Sequence, residues 1–92
     1  MTVVLPELNT RTDESLAKPA RVILYNDDWH SFDDVIVQLV KATAMSPEEA
    51  EVHAYTVHTQ GRSKVFDGSR EDCEKVAGVL REIRLHVEVD WD

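Results

Sequence analysis

A chain of 92 residues has room for one hydrophobic core and excludes two domains. With 42% hydrophobic and 30% charged residues it has the make-up of a globular domain rather than a disordered or fibrous chain. A formal charge of −8, with 10 Lys and Arg against 18 Asp and Glu and no basic cluster, argues against nucleic acid and leaves neutral or cationic partners.

Met1 to Pro19 is mostly polar, is punctuated by Pro6 and Pro19 and has no sustained periodicity, which predicts a flexible tail ahead of one domain over residues 20–92. A strand at Thr2 to Leu5 packed on that domain is the alternative. The start MTVVLPELNT lacks the basic end and long apolar region of a signal peptide. No run approaches the roughly 20 apolar residues that span a bilayer, so the expected setting is the cytoplasm, away from membranes; an organellar stroma would look the same after loss of a transit peptide.

Arg21-Val22-Ile23-Leu24-Tyr25 predicts a strand, ended by the turn-forming Asn26-Asp27-Asp28. Ser31 then stands before Phe32, Val35, Ile36, Leu39 and Val40, whose spacing makes one apolar stripe on a helix capped by Ser31. Ser46-Pro47-Glu48-Glu49 is a cap, a Pro at the first helical position and a Glu completing a capping box, and Gly61 is the expected stop of that second helix. Ser63 to Phe66 predicts a short strand closed by Asp67-Gly68. Ser69 and Asp72 open a third helix with Val76, Val79, Leu80 and Ile83 on its stripe, and Leu85 to Trp91 alternates as a final half-buried strand. The order β-α-α-β-α-β predicts an α+β sandwich, three helices on one face of a small three-stranded antiparallel sheet. Cys73 is the single cysteine, so no internal disulfide forms; a buried side chain and a reactive thiol are both open readings.

Polar groups gather where the first strand enters the first helix, in Asn26-Asp27-Asp28-Trp29-His30-Ser31-Phe32, and His58 falls on the last turn of the second helix. An amide oxygen, carboxylates and an imidazole suit an ammonium group, whose protons need acceptors. Turn chemistry with a solvated loop is the alternative. A catalytic pair of Asp28 and His58 lacks a nucleophile arrangement or a phosphate-binding loop around it. A metal site from Asp27, Asp28, His30, Asp33 and Asp34, or from His53 and His58, lacks the i, i+4 histidine spacing and any Cys/His framework.

Val22-Ile23-Leu24-Tyr25-Asn26-Asp27-Asp28, followed after a helix by Val57-His58-Thr59-Gln60-Gly61, resembles the ClpS family of bacterial proteolytic adaptors, and the likeness runs from about Arg21 to the end. The resemblance implies a fold like the C-terminal domain of the ribosomal stalk protein and a non-catalytic adaptor of the N-end rule pathway. Such an adaptor needs no cofactor or metal. It binds N-degron proteins whose first residue is bulky and hydrophobic and hands them to a ClpA-type AAA+ unfoldase paired with the ClpP peptidase, with a flexible N-terminal extension taking part in delivery. It further implies that Asn26 and His58 bond the substrate's α-amino group, that Asp28 supports it directly or through water and that Asp27 holds neighbouring backbone. Phe32, Val35, Leu39, Ala54 and Val57 would form a pocket for the first side chain, with His30 against the peptide; for Leu39 a place in the core competes with that reading.

Three positions depart from the common family pattern. Phe32 stands where the family has a methionine that excludes β-branched first residues, Ala54 stands where a second pocket methionine is frequent, and His30 replaces a small hydroxyl residue. The expectation is that the larger Phe32 and the smaller Ala54 compensate in volume. A closed pocket, and with it a divergent interaction domain with altered or lost amino-terminal recognition, is the alternative, as is a solvent-exposed His30.

Overall fold

The fold comes from a computed structural model, which describes residues 15–92. The chain runs through β1 (Pro19–Tyr25), α1 (Phe32–Thr43), α2 (Pro47–Gln60), β2 (Arg62–Ser69), α3 (Arg70–Leu80), a 3-10 turn (Arg81–Ile83) and β3 (Val87–Trp91). The order and type of the elements are those expected. Most of the predicted tail, and the alternative strand at Thr2 to Leu5, lie outside the described residues.

The helix starts follow local chemistry. Ser31, Ser46 and Ser69 each have extended backbone and accept a bond from the amide three residues on, at Asp34, Glu49 and Asp72. Pro47 then costs α2 nothing, because its missing N–H would have been unpaired there. Gly61 ends α2 with φ +92°, the left-handed conformation that a side chain resists, and its amide bonds to the Val57 carbonyl. Ala44 does the same work at the end of α1 with φ +61°, but carries a Cβ into that conformation.

The sheet has the order β2-β1-β3, antiparallel throughout. β1 begins at Pro19, opposite Ser69, and β2 correspondingly runs through Asp67-Gly68 instead of stopping there. The ladder overrides the turn-forming dipeptide because Arg21 and Ala20 give Asp67 and Gly68 their partners. A bulge sits between Val22 and Ile23: Val22 faces Phe66 while Ile23 faces Lys64, so Val65 is the extra residue of β2. Upstream of β1, the Lys18 carbonyl accepts from the Arg70 amide and Ser15 Oγ from the Arg70 guanidinium, which docks this stretch on the start of α3.

One face of the sheet is covered. Ala20, Val22 and Leu24 point to it from β1, and α3 lies across all three strands; α2 packs on β2, and α1 packs on α2 and α3. Val22, Leu24, Leu39, Cys73 and Leu80 are fully buried in the resulting core. Cys73 is therefore a packing residue. Burial, together with Asp67 and Asp72, pushes its thiol pKa up, away from a reactive thiolate. None of the helices in the described residues is long and apolar enough to cross a membrane.

Two substitutions test this packing by chemical denaturation. Leu39→Ala is expected to lower stability by about 2–5 kcal/mol, as for other fully buried leucines. Ala44→Gly is expected to raise it by about 0.5–1 kcal/mol by relieving the positive φ.

Candidate functional site

The end of β1 and the end of α2 are tied together by one backbone bond, from the Asn26 amide to the Gly61 carbonyl at 2.9 Å. That bond brings Asn26 beside His58, the two polar residues that the sequence separates by a whole helix pair. Both are exposed, and neither side chain makes a hydrogen bond to another described residue. Between α1 and α2, directly beneath them, lies a small cavity of about 50 Å³. Phe32, Val35, Ala54 and Val57 form its helical walls, and Leu24 and Leu85 add apolar surface from the sheet side. Phe32 is 40% exposed at the rim, and its ring meets the His58 imidazole edge-on at 5.7 Å.

The loop that presents Asn26 is shaped by Asp27. One carboxylate oxygen accepts from the backbone amides of Trp29 and His30 at 3.0 and 2.9 Å, and the other accepts from His30 Nδ1 at 2.6 Å. His30 Nε2 donates to the Ile83 carbonyl at 2.5 Å. Since a carboxylate and a carbonyl only accept, this arrangement favours hydrogen on both ring nitrogens, the imidazolium form of His30. Burial alone would lower the His30 pKa, but the Asp27 bond, the Ile83 carbonyl and the charges of Asp27 and Asp34 outweigh it and raise the pKa above the ordinary histidine value. For Asp27 burial pushes upward and is outweighed by the two His30 bonds, the Trp29 amide and the His30 charge, so its carboxyl titrates below the usual range.

These placements bear on the remaining site expectations. His30 is not a solvent-exposed loop residue: it lines the cavity, its side chain is 5% exposed and both ring nitrogens are engaged within the protein. Leu39 is core and not pocket wall, because it lies one helical turn beyond Val35, where α1 has already passed under its neighbours. Asp27 holds the neighbouring loop backbone as expected, and also His30, while Asp28 is exposed on the loop outside the cavity lining. Leu24 and Leu85 went unassigned to the site; their inward register in the first strand and at the start of the last alternating run was the available signal. His53 bonds Ser63 Oγ at 2.8 Å, away from His58, and no three His, Cys, Asp or Glu side chains group as a metal site among the described residues.

The Asp27–His30 pair carries a pH signature. A raised His30 pKa adds stability below about pH 6.5 that is lost as pH rises through the folded value, and a lowered Asp27 pKa adds stability above about pH 3.9 that is lost as pH falls through its folded value. The stability difference between wild type and His30→Ala should therefore be largest between about pH 4 and 6.5 and shrink by about 2 kcal/mol beyond it, leaving the pH-independent loss of the buried side chain. A difference independent of pH would contradict the ion pair.

Comparison with known proteins agrees with this geometry. Residues 16–87 match the family described as ATP-dependent Clp protease adaptor protein ClpS. The structure of Agrobacterium tumefaciens ClpS2 bound to L-phenylalaninamide superposes with a TM-score of 0.77, covering 83% of this chain and 99% of that one at 23% identity, a likeness of fold. Segments of much larger proteins are also similar: the E3 ubiquitin-protein ligase UBR1 of Homo sapiens is 32% identical over 74 residues, 73% of this chain, and ubr-1 of Caenorhabditis elegans is 32% identical over 77% of it. This chain spans about 4% of the length of those ligases. The match over residues 16–87 takes in every element from β1 to the first residue of β3, and the chain belongs to the ClpS family of Clp protease adaptors.

Proposed function

We propose that this adaptor captures the free amino terminus of proteins whose first residue is bulky and hydrophobic, and delivers them to a ClpA-type unfoldase. The observation that carries the reading is the pairing of two uncommitted polar side chains, Asn26 and His58, with an apolar cavity immediately below them. An α-amino group, mainly charged at neutral pH, would donate to the Asn26 amide oxygen and to a neutral His58 nitrogen. The first side chain would then enter between Phe32, Val35, Ala54 and Val57. An internal peptide bond offers neither the cation nor the short reach. The ligand of the Agrobacterium protein, L-phenylalaninamide, has both features this site is suited to, a free amine and a bulky aromatic side chain.

Size sets the terms of entry. A cavity of about 50 Å³ is well below the roughly 150 Å³ that holds a benzene ring, so a bulky side chain enters only as Phe32 turns outward, giving up its edge contact with His58. The same observation favours one second reading, that Phe32 keeps the pocket shut and the domain has lost first-residue recognition.

Calorimetric titration with peptides that differ only in their first residue separates the two. Phe, Leu, Trp and Tyr peptides are expected to bind near micromolar, and Ala and Gly peptides at least tenfold more weakly. Asn26→Ala and His58→Ala should each weaken the Phe peptide by about ten- to a hundredfold, the worth of a charge-assisted hydrogen bond. Equal affinity for large and small first residues would mean a closed pocket.

A further inference from the structure

The face of the sheet turned away from the core carries a groove, bordered on the β2 side by Tyr55, Thr56, Thr59 and Gln60 of α2. Tyr25 lines both cavities, so only the last step of β1 separates the first-residue pocket from this groove. The ladder fixes what the groove presents. Opposed residues point to the same face, so Arg62 stands beside Tyr25, and Lys64, Ile23 and Glu88 form one row across the three strands. The middle strand supplies an apolar floor of Ile23 and Tyr25, β2 a basic side and β3 an acidic one. Tyr55 of α2, 61% exposed, completes the wall above β2.

The charged groups are not equally free. Glu88 is held by Tyr25 Oη at 3.4 Å and lies near His86, and Lys64 pairs with Asp67 at 2.9 Å. Arg62, next to the pocket, makes no ion pair or side-chain hydrogen bond to another described residue. Exposed aromatic surface and a cation without a partner among the described residues thus lie close to the pocket in a protein of net charge −8.

We propose that this groove is a second binding region for the same substrate chain: it receives the residues after the second, an aromatic or aliphatic side chain against Tyr25 and Tyr55 and a carboxylate at Arg62. The assignment rests on amino-terminal capture at Asn26 and His58. Once that end is held, contacts further along the chain form intramolecularly at an effective concentration near millimolar, so even weak ones raise affinity. Recognition then reads a short sequence, not a single residue.

The test uses the full chain and four probes: the dipeptide amide Phe-Gly, its N-acetylated form, a hexapeptide that continues Phe-Gly with Tyr-Glu-Gly-Gly, and one that continues it with glycine only. The Tyr-Glu hexapeptide is expected to bind about five- to tenfold tighter than the glycine one. Tyr55→Ala and Arg62→Glu, both at exposed positions, should remove that gain and leave the dipeptide unchanged. Tight dipeptide binding with no gain from Tyr-Glu, or a gain untouched by both substitutions, overturns the groove alone. Equal binding of free and N-acetylated dipeptide overturns amine capture, and the groove assignment with it.

Discussion

The turn from β1 into α1 holds its shape because the Asp27 carboxylate collects three hydrogen bonds from the two residues that follow Asp28, and because His30, so oriented, reaches across to the Ile83 carbonyl. Through His30 this one buried ion pair joins the loop to the 3-10 turn that follows α3. Without it the loop would be anchored at its end by Ser31 and at its start by the single Asn26–Gly61 backbone bond. The position of Asn26 over the cavity, and of Phe32 at its rim, follows from that arrangement. A carboxylate that looks like part of the ligand site is thereby spent on making the site rigid, the support that a binding constellation needs from its neighbours.

Local chemistry made most of the fold readable. Ser31, Ser46-Pro47 and Gly61 act through the nearest few amides and carbonyls, so their roles are written in adjacent residues. The strand ends were less legible, since β2 continues through Asp67-Gly68 only because β1 starts early enough to pair with it, and the Val65 bulge depends on a register that no single strand encodes. In the site, the neighbourhood of Asn26 and His58 was visible from motif spacing. The fate of His30 was not: its partner Ile83 lies 53 residues away, and a loop histidine carries no local sign of such a bond. Leu39 illustrates another limit, because a stripe of period 3.6 marks the inward face of a helix without saying where along it a cavity stops and the core begins.

The two faces of the sheet divide the labour of a small domain. Alternation along β1 sends Val22 and Leu24 into a core shared by all three helices, and the same alternation leaves Ile23 and Tyr25 on the opposite face, bordered by the edge of α2 on the β2 side. A single antiparallel layer with helices on one side always leaves such a face. Here it is kept from being a plain hydrophobic patch by charges of opposite sign on the flanking strands, with Arg21 of β1 itself paired to Asp90 at 3.2 Å. That balance favours a surface open to transient partners over one that sticks to copies of itself.

Phe32 and Ala54 set how such a domain would discriminate. Turning Phe32 out of the rim costs a fixed amount, the loss of its contacts with His58 and the pocket walls, whatever the incoming residue. The gain from filling the pocket grows with the apolar area of the incoming side chain, roughly 25 cal/mol per Å². Under the proposed reading a large aromatic or Leu side chain exceeds the fixed cost and a methyl group does not, so replacing an adaptable methionine by a stiffer ring raises the threshold for entry. Ala54, 3% exposed on the opposite wall, leaves the depth into which a ring can pass once the threshold is crossed. Selectivity against small first residues would then come from displacing the protein's own side chain, with the amine bonds to Asn26 and His58 contributing equally to every candidate.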